Sequence, residues 1–339
     1  MRVENRGHRL LIEAMGKIAE LLEQDEVVEV YCNSQDEHIW VEYSGKGRVK
    51  SELLISADDR RKLIQTVASF SKTVANVENP IITAELPKYG YRFEGSLPEI
   101  TRLPSFNIRK PAKMVYSLED YVNNGIMSRQ QAEIIRLAVE RKLNILIAGG
   151  TGSGKTTLCN AVLKQIARMG DRLIILEDTR ELQCEADDYE SLKTSDEIDM
   201  QALLKTTLRR RPDRIIVGEV RDGAAFDMLK AWNTGHPGGL CTTHANDAAE
   251  SLKRIASLAM EAATRMPAGM IGRLVASAVN LVIFISRVNK SEAGQQTSGR
   301  KVRQLALVSG YDVEKDAYQL VTEELKALTI LREGYSNAT

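Results

Sequence analysis

The run Gly149-Gly150-Thr151-Gly152-Ser153-Gly154-Lys155-Thr156 constrains this chain more than any other stretch of it. It fits the pattern G-x-x-x-x-G-K-[ST], a loop whose mechanism requires a buried strand before it and a helix after it. Both flanks are legible: Leu143–Ala148 is an apolar run, and Lys155–Arg168 has helical spacing. Glycines let backbone amides turn inward toward an anion, where side chains would obstruct them. The helix that follows aims its positive end at the same point. The expected ligands are therefore ATP and Mg²⁺. Gly149, Gly150, Thr151, Gly152, Ser153, Gly154 and Thr157 would form the cradle, Lys155 would reach the β and γ phosphates, and Thr156 would help hold the metal.

A loop of this kind implies an α/β sheet, and the surrounding pattern agrees. Helix Ser128–Arg141 precedes the strand. After the loop come strand Arg172–Leu176, helix Met200–Arg210, strand Arg214–Val217, helix Asp222–Thr234 and strand Gly239–Thr243. Alternating helices and wholly apolar strands predict a mainly parallel sheet covered on both faces. Leu281–Arg287 and Val302–Val308 read as further strands, and Ser291–Arg300 as a loop between them.

At 339 residues the chain is long enough for two domains. Residues 1–97 read as a smaller α+β domain. It has an amphipathic helix over Arg6–Glu23, strands Val27–Tyr31 and Ile39–Tyr43, helix Ala57–Ala75, and strands Ile81–Leu86 and Tyr91–Glu94. Pro98, Pro104 and Pro111 break any helix between them, so residues 98–117 are expected as an extended linker and 118–339 as the nucleotide-binding domain. Lys+Arg and Asp+Glu both number 46, so a uniform basic field for gripping DNA is absent, a local basic patch stays open, and tight direct nucleic-acid binding is not expected. The four cysteines are scattered without a CxxC pair and read as reduced thiols of a cytoplasmic protein. No apolar run approaches the length of a membrane span, so any membrane association would be peripheral.

Hydrolysis needs carboxylates beside the phosphates, and strand ends supply them. Arg214–Val217 leads through Gly218 into Glu219, a Walker-B-like strand with Gly218 where a metal-holding Asp is usual. Leu173–Leu176 ends in Glu177-Asp178. The strand ends of a parallel sheet lie beside the glycine loop, so Glu177 and Glu219 are the candidate pair for orienting water and, with Thr156, organising the metal. His244 follows strand Gly239–Thr243 and is the candidate γ-phosphate sensor, whereas His236 lies in a turn and reads as structural. Arg211 and Arg221 flank the Glu219 strand, and Arg211 is the candidate catalytic cation. Arg92 and Arg109 lie in the first domain and the linker. They would reach a nucleotide only across a domain clamp or from a neighbouring chain.

Together, GGTGSGKTT, ILEDTREL, LRRRPDRIIVGEVRD and TGHPGGLCTTHAND resemble, in order over residues 149–247, the four motifs of the secretion ATPase superfamily. The stretch Met228–Gly239 points to its conjugative-transfer branch. The resemblance implies a RecA-like domain, a homohexamer and docking on the cytoplasmic parts of a membrane-embedded secretion complex at the inner membrane. It also implies Glu177 and Glu219 as catalytic and metal-organising groups, His244 near the γ-phosphate, and Arg92 and Arg109 as phosphate contacts. Gly218 is the superfamily's own choice at that position. The competing readings are a nucleic-acid translocase of the same fold, an ATPase of a type II secretion or pilus system, and a nucleotide-binding module without turnover.

Overall fold

The computed structural model describes residues 2–44, 46–86, 89–111, 115–195, 197–288 and 299–335, with side chains from residue 9 onward. Most of the loop expected at Ser291–Arg300 lies outside these residues. The chain divides into two units, Met1–Met114 and Val115–Thr339.

The first unit begins with helices α1 (Arg2–Met15) and α2 (Lys17–Glu23). The single helix expected there is broken at Gly16, whose φ of 51° no helix accommodates. Strands β1 (Val27–Cys32), β2 (His38–Tyr43) and β3 (Gly47–Leu54) follow, then helix α3 (Ala57–Phe70) and strands β4 (Ile81–Leu86), β5 (Tyr91–Ser96) and β6 (Ser105–Arg109). They form one antiparallel sheet in the order β3-β2-β1-β6-β5-β4. Leu11, Met15, Ile18 and Leu22 share a core with Leu63, Ile64 and Val67 of α3.

Strand β6 corrects the expected linker. It lies between β1 and β5, with Phe106 and Ile108 buried, and so belongs to the first unit. The prolines around it do exclude helix, but the segment they leave extended is held in the sheet by neighbours on both sides.

The second unit starts with helices α4 (Leu118–Asn123) and α5 (Arg129–Glu140), then β7 (Ile145–Ala148), α6 (Lys155–Ala167), β8 (Leu173–Glu177), β9 (Tyr189–Lys193) and α7 (Met200–Thr207). It continues with β10 (Arg214–Val217), α8 (Ala224–Asn233), β11 (Leu240–Thr243), α9 (Ala248–Ala262), α10 (Ala268–Ala278), β12 (Leu281–Arg287), β13 (Arg300–Asp312), β14 (Ala317–Val321) and α11 (Glu324–Glu333). The sheet order is β14-β13-β12-β7-β11-β10-β8-β9, parallel from β12 to β9 and antiparallel at β13 and β14. Side chains alternate between faces with period two. Ile145 and Ile147 enter the core beneath α5, α6 and α11, while Leu146 and Ala148 enter the core beneath α8, α9 and α10. Both cores require apolar residues, which is why the central strands read as unbroken apolar runs. Edge strand β9 is largely polar and carries no such signal.

At the start of β10 the fully buried Arg214 donates from Nε to Asp171 Oδ2 at 2.6 Å and from Nη2 to the Val139 carbonyl at 3.0 Å. Lys142 completes the Asp171 pairing at 2.7 Å. Removing one partner of a buried pair strands the other charge, so Asp171→Ala is expected to cost about 3–5 kcal/mol in urea unfolding. Combining it with Arg214→Met is expected to cost less than Asp171→Ala alone, and a double variant at least as unstable as the single one contradicts the assignment.

Candidate functional site

Strand β7 delivers the chain into the glycine loop, and β12 closes against it. A Cβ on Gly149 would stand 2.3 Å from the Ile285 carbonyl oxygen of β12 and 2.5 Å from Ser153 Oγ. Gly152 and Gly154 have φ of 67° and 96°, a region that side-chain-bearing residues rarely occupy. The loop therefore depends on its glycines for both space and backbone shape. Lys155 opens α6 and is buried. Its Nζ donates to the Gly149 and Gly150 carbonyls at 3.0 and 3.2 Å and lies 3.3 Å from His244 Nδ1.

The carboxylates arrive from the neighbouring strands. Register pairs Leu176 of β8 with Val217 of β10, so Glu177 and Gly218 emerge side by side. A Cβ on Gly218 would lie 3.0 Å from Glu177 Cγ. An Asp at 218 would thus compete with Glu177 for the same volume, which accounts for the glycine. Glu177 is 2% exposed, and its Oε1 accepts from the Glu181 and Leu182 amides at 2.8 Å each. Its Oε2 is buried and has no hydrogen-bond partner among the described residues. Burial raises the Glu177 pKa to about 7, against the lowering effect of the two amide bonds.

Glu219 occupies a different environment. Its Oε1 lies 3.2 Å from His244 Nε2, and its Oε2 accepts from Arg221 at 2.6 Å. Arg221 also approaches Asp178 at 3.7 Å, and Asp178 accepts from Thr194 at 3.2 Å. The His244 pKa is lowered chiefly by burial and then by the Lys155 charge, with Glu219 opposing both. A neutral ring that donates from Nε2 to Glu219 leaves Nδ1 to accept from Lys155. His244 is thus a polar bridge between the loop lysine and a carboxylate.

The remaining candidates divide. Thr156, at the start of α6, donates to Glu181 Oε2 at 3.3 Å. Sequence reasoning passed over Glu181, although it lies four residues beyond Glu177 in the same acidic segment. Asn160, one turn beyond Thr156, braces that segment by accepting from the Gln183 amide at 2.9 Å. Arg211 precedes β10 whereas Glu219 follows it, so the structure puts them at opposite ends of one strand. Arg211 is exposed there, with a φ of 51°, and does not join the cluster of its own chain. Arg221 is the arginine that does. Arg92 and Arg109 belong to the first unit, where they are register partners across β5 and β6. His236 sits in its turn with Nδ1 3.3 Å from the Ala231 carbonyl.

The Type II/IV secretion system protein family matches residues 81–323, more than half of the chain. The chain belongs to that family. A probable conjugal transfer protein TrbB of Sinorhizobium fredii (strain NBRC 101917 / NGR234) is 44% identical over 332 residues, covering 96% of this chain and 97% of that protein. The conjugal transfer protein TrbB of Rhizobium radiobacter is 45% identical over 314 residues, covering 92% and 93%. In fold the chain is similar to the pilus retraction motor PilT, solved with bound ADP, with a TM-score of 0.63 at 19% identity over 94% of this chain and 85% of that one. Among the described residues no helix is long and apolar enough to cross a membrane.

The raised Glu177 pKa makes stability depend on pH with a definite sign. Between the ordinary value of 4.5 and about 7 the folded chain holds a proton that the unfolded chain has lost. Stability therefore falls as pH rises through that window, by roughly 3 kcal/mol in all. Glu177→Gln is expected to remove this slope. The check is the difference in urea unfolding free energy between wild type and variant on either side of the window. A difference that does not change with pH contradicts the assignment.

Proposed function

We propose that the chain is a RecA-like P-loop ATPase that hydrolyses Mg-ATP, working as a homohexameric motor for a type IV secretion or conjugative DNA-transfer apparatus. The observation that carries the ATPase reading is the meeting of Lys155, His244, Glu219 and Arg221 beside a glycine loop at the ends of parallel strands. The conjugative role rests on the similarity to the two TrbB proteins. On this reading the motor is cytoplasmic, docks on the cytoplasmic parts of an inner-membrane complex, and associates with the membrane only peripherally.

In this reading the loop amides and the α6 N-terminus hold the phosphates, and Lys155 exchanges its two carbonyl partners for the β and γ phosphate oxygens. His244, freed from Lys155, reports the γ-phosphate to Glu219. Glu177 is assigned as the general base, because a carboxylate with a pKa near 7 and one unpaired oxygen matches proton transfer from water near neutral pH. Glu219 and Arg221 organise the water and the developing charge.

The residues present fit a magnesium ion. Among the described residues no three His, Cys, Asp or Glu converge as a cage, and Mg²⁺ is ordinarily held by one or two protein oxygens, water and substrate phosphates. Thr156, which already meets Glu181, together with Glu219 would offer those oxygens. When bound, the ion would neutralise charge on the phosphate chain. Arg92 and Arg109 remain proposed phosphate contacts.

Lys155→Ala is expected to reduce phosphate release by at least about 100-fold together with nucleotide affinity. Glu177→Gln and Glu219→Gln are expected to lose about 10²–10³-fold in turnover while still binding ATP. Steady-state phosphate release and nucleotide titration measure both quantities. Wild-type turnover in the Lys155 variant would sink the ATPase reading. A particle mass other than six chains with a non-hydrolysable ATP analogue would sink the hexamer.

A further inference from the structure

One wall of the glycine loop is lined by charge that the mechanism above does not use. Strand β12 lies beside β7 on the side away from β11, and it ends at Arg287. Strand β13 begins at Arg300, the register partner of Arg287, so both side chains share one face of the hairpin. Both touch the loop. Arg287 Nε donates to the Gly152 carbonyl at 3.1 Å, and a Cβ on Gly152 would stand 2.0 Å from Arg287 Nη2. A Cβ on Gly154 would stand 3.0 Å from Arg300 Cδ and 3.3 Å from its Nε. The two glycines with left-handed backbone are thus also the two that these arginines lie against.

Like charges at paired strand positions repel one another. Among the described residues no carboxylate forms an ion pair with either arginine, although both are exposed. Two guanidiniums set against the amide cradle of an anion site are stabilised together by an anion in that cradle. His244, Glu219 and Glu177 all emerge on the β11, β10 and β8 side of the loop. The anion held between the two sides is therefore approached by cations from β12 and β13 and by the hydrolytic groups from the opposite side.

We propose that Arg287 and Arg300 form a second cationic wall of the nucleotide site, contacting the phosphate chain of a bound nucleoside triphosphate and setting its affinity. The inference rests on the nucleotide reading of the glycine loop. It assigns the two arginines to binding, with hydrolysis left to Glu177, Glu219 and Lys155. Gly152 and Gly154 then serve a third purpose, since any side chain there would displace a guanidinium from the phosphates.

The test separates charge from loop support. Gln at 287 keeps an N–H donor for the Gly152 carbonyl but carries no charge, and Lys keeps the charge. Binding of a fluorescent ADP and of a non-hydrolysable ATP analogue is measured on the full chain at about 50 and about 300 mM KCl. Arg287→Gln and Arg300→Gln are each expected to weaken binding about tenfold at low salt, the worth of one charge-assisted contact, and to flatten the salt dependence. Arg287→Lys is expected to recover most of that loss. KM is expected to carry most of the change, with kcat at saturation falling less than about threefold. If wild type binds nucleotide and both Gln variants bind it equally well, the wall falls and the nucleotide reading stands. If Arg287→Lys binds as weakly as Arg287→Gln and both lower the melting temperature of the nucleotide-free chain, Arg287 only props the loop and the proposal is wrong. If wild type binds neither nucleotide, both readings fall.

Discussion

A buried ammonium group is expensive unless every donor it carries is met, and Lys155 is such a group. Its partners include two carbonyls of its own loop and the ring of His244. The same loop packs Gly149 against the backbone of β12 and takes left-handed backbone at Gly152 and Gly154. The lysine thus fixes the loop, the loop fixes the β7–β12 contact, and His244 ties both to β11. Phosphate oxygens are better partners for an ammonium than neutral carbonyls. On the proposed reading, a bound nucleotide offers Lys155 that exchange.

The second constraint is the exchange of a carboxylate between neighbouring strands. The Walker-B-like strand β10 surrenders its acidic position to Gly218, and the adjacent strand β8 fills the volume with Glu177. The carboxylate that results is buried, anchored through one oxygen to two amides, and unpaired at the other. Glu219, one residue on, is instead engaged by His244 and Arg221. Two acids in one cluster are thereby given different environments, one buried with its pKa raised to about 7 and one held by cationic and polar partners.

Much of this was legible from residue order, for physical reasons that can be named. The central strands announce themselves because both faces of the sheet are covered, so every position of Ile145–Ala148 and Arg214–Val217 is buried. The glycine loop announces itself because its geometry tolerates few other residues. Glu177, Glu219 and His244 were recoverable because strand ends in a parallel sheet share one edge. What escaped was what depends on pairing rather than on local pattern. Strand β6 is short, sits amid prolines and is held by partners far away in sequence, so it read as a linker. Arg211 read as an active-site cation because proximity in sequence hid the length of the strand that separates it from Glu219. Glu181 and the Arg287–Arg300 pair reach the loop only through tertiary placement, and an isolated charged residue carries no mark of it.

The claim on which the account turns is that Lys155 and His244 release one another to receive a γ-phosphate. A structure of the full chain with Mg²⁺ and a non-hydrolysable ATP analogue measures this directly. The account predicts Lys155 Nζ on β and γ phosphate oxygens and away from the Gly149 and Gly150 carbonyls, with His244 turned to the γ-phosphate and still joined to Glu219. A nucleotide bound elsewhere, or one seated on the loop with Lys155 still bonded to those carbonyls, would contradict it.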